Sequence, residues 1–235
     1  MQAEPPPEKE RGLTYGVEIA SGSGHADRGF VISDRPVVQP EMWVSRSGTE
    51  FSLWSNFTLA ETTDASRPTI LEMELTHEHK QGRISIRPAV TMVFYRDAPS
   101  AYSSRSIEAW LHMTCDVGPF RLFTNHSLDV LTYRGAYYGE AGIGSERRVS
   151  PRVRIGGSLG AGWASSKFND SYAAVAKSAL NRVFAEGWLT AHVNRHFYIG
   201  PQVEFSAIVD RGVRAGADVV RPTYVLVKLT TGGEF

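Results

Sequence analysis

The sequence predicts an all-β protein, an antiparallel up-and-down transmembrane β-barrel of about twelve strands with short periplasmic turns and longer external loops. Three observations predict it: long runs of alternating apolar and polar residues, junctions that alternate between tight and long, and a polar phase composed like a crowded interior. The clearest run is 84–95, in which Ile84, Ile86, Pro88, Val90, Met92 and Phe94 alternate with Ser85, Arg87, Ala89, Thr91, Val93 and Tyr95. A period of two puts these sets on opposite faces of a strand. Such a run exceeds the ~5–6 residues usual in soluble sheets and suffices for the ~9–11 of a tilted membrane strand.

Residues 1–12 read as a solvated lead-in, because Met1 to Glu10 combines Pro5-Pro6-Pro7 with charges and has no apolar core region. The barrel reading therefore expects that a secretion signal has been removed. A single barrel domain is expected over 13–235. Its first strand is 13–21, with Leu13, Tyr15, Val17 and Ile19 in one phase; 37–45 is the second. The third, 51–60, alternates Phe51, Leu53, Phe57 and Leu59 with Ser52, Trp54, Asn56 and Thr58, and 69–79 sets Leu71, Met73 and Leu75 opposite Glu72, Glu74 and Thr76. Then come 83–95, 106–117 and 120–133, the Gly-rich 137–146 and 152–163, and finally 182–194, 197–209 and 223–235. The last closes on a terminal aromatic, Phe235, in phase with Val225, Val227 and Leu229, which resembles the end of outer-membrane strands.

From the second strand onward every other junction is tight: 46–49, 80–82, 118–119, 149–151 and 195–196. Between them lie 61–68, 96–105, 164–181 and 210–222, with 134–136 the one short member of that set, and 22–36 precedes them all. Short turns at one end and long loops at the other are what insertion through a membrane produces, and an even strand number leaves both termini at the turn end. Residues 172–180 have helical propensity, so a short helix is expected there inside a long loop.

The composition of the faces decides which is outside. The polar phase carries Glu18, Glu41, Glu72, Glu74, Arg87, Glu108, Arg121, Asp129, Glu140, Arg152, Arg154 and Glu204, interleaved with Trp43, Trp54, Trp110 and small residues. Lys, usual on a solvated face, falls in a predicted strand only at Lys228. Arg and Glu among Trp and Gly suit a crowded lumen, where a guanidinium satisfies several carboxylates. Glu72, Glu74, Arg87, Glu108, Arg121, Asp129, Arg152 and Arg154 are the expected lumen charge network, facing one another so as to constrict or seal the path. The alternative is a soluble β-barrel or sandwich with the apolar phase inward around an apolar ligand.

Composition excludes other classes. The formal charge is zero and no basic cluster occurs, so no nucleic-acid surface is expected. No run approaches the ~18 apolar residues of a membrane helix. Cys115, the one cysteine, forms no intrachain disulfide. His77 and His79 share a strand face but adjoin a tight turn, so no metal site is assigned. His126 and Ser127 point to opposite faces of a regular strand, which prevents nucleophile activation, and no catalytic residue or cofactor is expected. The glycines Gly142, Gly144, Gly156, Gly157, Gly160 and Gly162 precede no helix directly and read as sites of close packing rather than a phosphate loop.

Residues 28–40, Arg-Gly-Phe-Val-Ile-Ser-Asp-Arg-Pro-Val-Val-Gln-Pro, resemble the "RG-hydrophobic-x-x-SD-x-P-x-x-Q" segment of the TorF-type porin family of Gram-negative bacteria. The preceding Ile19-Ala20-Ser21-Gly22 also fits, whereas Gly24-His25-Ala26-Asp27 stands where that family carries aromatics. The resemblance covers residues 19–40 and implies an outer-membrane barrel, with membrane lipid and small solutes as partners. The expected function is a narrow channel for small solutes or a plugged structural barrel.

Overall fold

The computed structural model describes residues 12–59, 69–95, 105–216 and 221–235. The strands are β1 (Leu13–Gly22), β2 (His25–Asp27), β3 (Phe30–Ser33), β4 (Val37–Arg46), β5 (Thr49–Thr58), β6 (Ile70–His77), β7 (His79–Gln81), β8 (Ile84–Tyr95), β9 (Arg105–Val117), β10 (Phe120–Asp129), β11 (Tyr137–Ser150), β12 (Val153–Ala164), β13 (Ala179–His192), β14 (Phe197–Ile208) and β15 (Thr223–Glu234). Two helices, α1 (Ser166–Ala173) and α2 (Arg211–Arg214), lie in the loops before β13 and β15. β6 and β7 are one barrel strand interrupted at Glu78, whose N–H instead bonds the carbonyl of Gly48. With β2 and β3 set apart as a hairpin, twelve antiparallel strands pair with their neighbours in sequence, and β1–β15 closes the cylinder.

Closure leaves the barrel sheet without an open edge, and the side chains sort by phase. Leu13, Tyr15, Val17 and Ile19 are 51–60% exposed, while Gly16, Glu18 and Ala20 between them face the lumen. Met42, Leu75, Val90, Leu122, Leu159, Val203 and Val227 extend the exposed apolar belt around the wall. So wide an apolar surface is stable against lipid and not against water. The soluble alternative required the opposite orientation, and the outward belt overturns it.

Tight turns gather at one end. Ser47 and Gly48 both take positive φ (51° and 83°), the two-residue hairpin geometry that matches strand twist. The start of β1 and the end of β15 lie there: Tyr15 and Phe235 exchange backbone hydrogen bonds of 3.0 and 2.9 Å, and their rings stack at 5.7 Å. An aromatic pair at this level suits the membrane interface.

Two local expectations need correction. Residues 130–133 leave the strand, because the Asp129 carboxylate accepts the backbone N–H groups of Leu131 (2.9 Å) and Tyr133 (3.0 Å) and turns the chain. The helix expected over 172–180 lies upstream. Ser165 caps it by accepting from the Phe168 N–H, and Ala174 ends it in a left-handed conformation (φ 53°), so that 179 onward is strand.

At the long-loop end the chain folds inward. Phe30, Tyr138, Phe168, Ala173, Ile208 and Val213 form a buried apolar cluster joining the β2–β3 hairpin, the barrel wall, α1 and α2. Phe168 stacks on Tyr172 at 4.3 Å and meets Phe30 at 6.3 Å. Lys177 donates to Asp210 at 2.6 Å, tying the segment after α1 to the cap of α2. This apolar core sits across the mouth of the barrel.

Candidate functional site: the lumen and its plug

The tip of the β2–β3 hairpin is the two-residue turn Arg28-Gly29, with φ of 50° and 95°. Left-handed backbone at a non-glycine residue costs roughly 1–2 kcal/mol, and what this tip places is the Arg28 side chain. Nη1 donates to Glu108 Oε1 at 3.0 Å while Nη2 engages Oε2, a bidentate pair. Both side chains are under 10% exposed. The guanidinium also lies over the Trp110 ring at 4.8 Å, with Phe168 at 5.5 Å and Tyr138 at 5.9 Å. Around this pair the remaining void is about 10 Å³, at the limit for one water.

The hairpin's other anchor is polar. Gln39 Nε2 donates to His25 Nδ1 at 3.1 Å and to Asn56 Oδ1 at 3.0 Å, all three side chains buried. Burial pushes the His25 pKa down to about 4, against the smaller opposing effect of Asp27 and reinforced by Lys228. His25 is therefore neutral in the docked hairpin.

Of the eight residues expected to form the lumen network, only Glu74 and Arg87 pair with each other among the described residues, at 3.8 Å, and Arg87 reaches Glu50 at the same distance. Glu72 lies beside Glu74 in the inward phase of β6. Glu108 belongs to Arg28. Asp129 holds the turn after β10 and accepts from Ser106 at 2.5 Å. Arg121 pairs with Asp116 at 2.8 Å, exposed at the turn end, and Arg154 with Glu146 at 3.4 Å. Arg152 lies in the turn before β12 and is exposed, outside the lumen wall. Two buried cations outside the expected network, Arg28 and Arg182, hold inward carboxylates instead. Arg28 stood in the segment that carried the family resemblance. Arg182 opened the inward series Arg182, Phe184, Glu186, Trp188; it contacts Glu140 at 3.0 Å and Glu204 at 3.5 Å and lies 4.3 Å over Phe184.

Below the plug, towards the tight turns, a cavity of about 680 Å³ is lined by Phe123, Phe184 and Trp188 with Arg121, Glu140, Glu146 and Glu186. Its width depends on close approach. Trp188 lies flat against Gly156, where a Cβ would meet the indole at 2.4 Å, and Phe184 against Gly160, where it would meet the ring at 2.6 Å. Each glycine is the register partner of its aromatic on the neighbouring strand. The rings thus lie along the wall instead of crossing the lumen. Across the barrel the wall is acidic: Glu18 and Glu41 are register partners on β1 and β4, with Glu50, Glu72 and Glu74 on β5 and β6. His126 and Ser127 face opposite ways, the first hydrogen-bonded to Tyr137 at 2.7 Å, the second buried in the wall.

No protein-family model matches the chain, and no curated protein matches it in sequence. Solved structures do match its fold. The NanC porin is 12% identical, with a TM-score of 0.56 over 93% of this chain and 98% of that one. The COG4313 outer membrane channel from Pseudomonas putida F1 is 10% identical with a TM-score of 0.54 over the full length of both. The KdgM porin, also 10% identical, gives 0.51 over 94% of this chain and 98% of that one. At such identities the likeness is one of fold, and it agrees with the outward belt and the alternation of turns and loops: this chain is a twelve-stranded up-and-down barrel with the fold of outer-membrane porins.

Proposed function

We propose that the protein is a narrow outer-membrane channel for small solutes, of the TorF-type porin kind, that is closed at its external mouth by its own first loop. The observation that carries this reading is the joint presence of a polar lumen, open at the turn end as a cavity of about 680 Å³, and a plug attached to that lumen by one buried ion pair. The aromatic rings laid against Gly156 and Gly160 leave that interior wide. The TorF-like segment, residues 28–40, supplies the plug itself, since it includes Arg28, β3 and the buried Gln39.

The lumen charges set what such a channel passes. Arg87 offsets part of the acidic wall and Arg121 lines the cavity opposite, beside Asp116 at the turn end, so replacing both with Ser removes positive charge from the path and shifts selectivity towards cations. The test is planar-bilayer recording of refolded protein. Wild type is expected to conduct little. A chain whose residues 24–34 are replaced by a short Gly-Ser bridge is expected to conduct steadily, and more cation-selectively with Arg87→Ser and Arg121→Ser added. A folded, hairpin-less barrel that passes no current would refute the channel and leave a plugged structural barrel.

A further inference from the structure

We infer that Glu108, Trp110 and Tyr138 form a binding site for a small guanidinium solute, which the plug's own Arg28 fills while the channel is closed. The inference rests on the channel reading and names its solute class.

The site belongs to the wall. Glu108 and Trp110 project inward from β9 and Tyr138 from β11, so all three remain in place when the hairpin leaves. Together they offer what a planar cation needs: a carboxylate presented to both ends of the fork and an aromatic face at 4.8 Å. Arg28 shows the fit directly, as a guanidinium on a removable segment.

Two features mark Arg28 as a mimic of a solute rather than a turn residue. Its left-handed φ of 50° is one that Asn, Asp or Gly adopts more readily in a two-residue hairpin. It also leaves the site imperfectly used: the buried Trp110 Nε1 has no hydrogen-bond partner. Guanidinium has no acceptor to give it. A solute with an oxygen beside its guanidinium would satisfy both the carboxylate and the indole N–H.

The same chemistry recurs towards the cavity. Arg182 is held by Glu140 and Glu204 over the face of Phe184. Beyond it, Glu186 faces the cavity beside Phe184 and Trp188. Among the described residues no Arg or Lys comes within 4 Å of Glu186, whose one hydrogen bond is a 3.5 Å contact from Ser158. A cation leaving the Glu108 site thus meets a second carboxylate with aromatic neighbours and no Arg or Lys in ion-pair contact, Arg182 and Lys228 acting on it only at longer range, together with Glu140 and Glu204.

The test uses the full chain carrying Arg28→Gly, which keeps the turn's backbone and empties the site. Its fold is checked by the change in gel migration on boiling. Ethylguanidinium chloride is titrated in detergent by calorimetry and Trp fluorescence, with ethylammonium chloride at equal ionic strength as control. Saturable binding is expected in Arg28→Gly, weaker by about tenfold or more when Glu108→Gln is added, as loss of a charged hydrogen-bond partner implies. Wild type, whose site is filled, is expected not to bind. Trp110→Leu in the Arg28→Gly chain keeps the carboxylate, removes the ring and gives a second reading if the Gln variant does not refold. No saturable binding to folded Arg28→Gly, or binding unchanged by Glu108→Gln or Trp110→Leu, overturns the site. In bilayers ethylguanidinium is expected to reduce the Arg28→Gly current in the range where it binds. Binding without any current supports the site and refutes the channel reading, so the two failures are separable.

Discussion

Replacing Arg28 with Ala should open the barrel. The guanidinium is the hairpin's charged anchor, and its removal leaves the Glu108 carboxylate, 6% exposed, without its cation. Breaking a buried pair from one side costs roughly 3–5 kcal/mol, most of it from the charge left behind. Relief of the left-handed backbone does not offset this, because Ala disfavours positive φ as Arg does. At about 1.4 kcal/mol per tenfold, the docked-to-undocked ratio falls by two to nearly four orders of magnitude. That is enough to turn a rarely opening plug into one that is frequently or mainly displaced. Bilayer recordings of Arg28→Ala should show long openings where wild type shows few, with unchanged β-type circular dichroism. Limited proteolysis from the external side should cut between residues 24 and 34 in the variant first. An Arg28→Ala protein that conducts like wild type and keeps its hairpin protected would refute the latch.

Acid should act in the same direction as that substitution. His25 is held neutral with a pKa near 4 in the docked hairpin, against about 6.5 when undocked, so the undocked state takes up the proton first and docking weakens as pH falls from about 6.5 towards 4. Current should rise through that window, and His25→Gln should flatten the rise; an equally steep profile in the variant assigns the effect to other groups. Gly160→Leu sets a branched side chain where a Cβ alone meets the Phe184 ring at 2.6 Å. Overpacking of this kind costs roughly 1–3 kcal/mol, and the boiling transition on gels should move down; an unchanged transition would mean that the ring swings away freely. In a Cys115→Ser background, Asp170→Cys on α1 should react with an impermeant label on intact cells and Arg195→Cys in the β13–β14 turn should not. Equal labelling would show that the two ends are misassigned.

The sequence by itself determined the barrel. Alternation is a property of neighbouring residues, so strands such as 84–95 and 106–117, the tight turns and the outward phase of Leu13, Tyr15, Val17 and Ile19 were legible without any contact known. Where strands were misjudged, a side chain acting on nearby backbone was responsible: Asp129 stops one early, and the Ser165 cap starts the helix upstream of its most helix-prone residues. The tertiary structure decided which charges meet. Every inward Arg and Glu shares the same period, and choosing among partners requires the register of closed strands and the path of loops. Arg28 and Glu108 lie 80 residues apart, and they meet only because the first long loop turns into the lumen and carries its Arg to a wall strand. Alternation places a side chain inside, but whether an ion pair forms there depends on desolvation shared with groups from other strands, which no local pattern encodes.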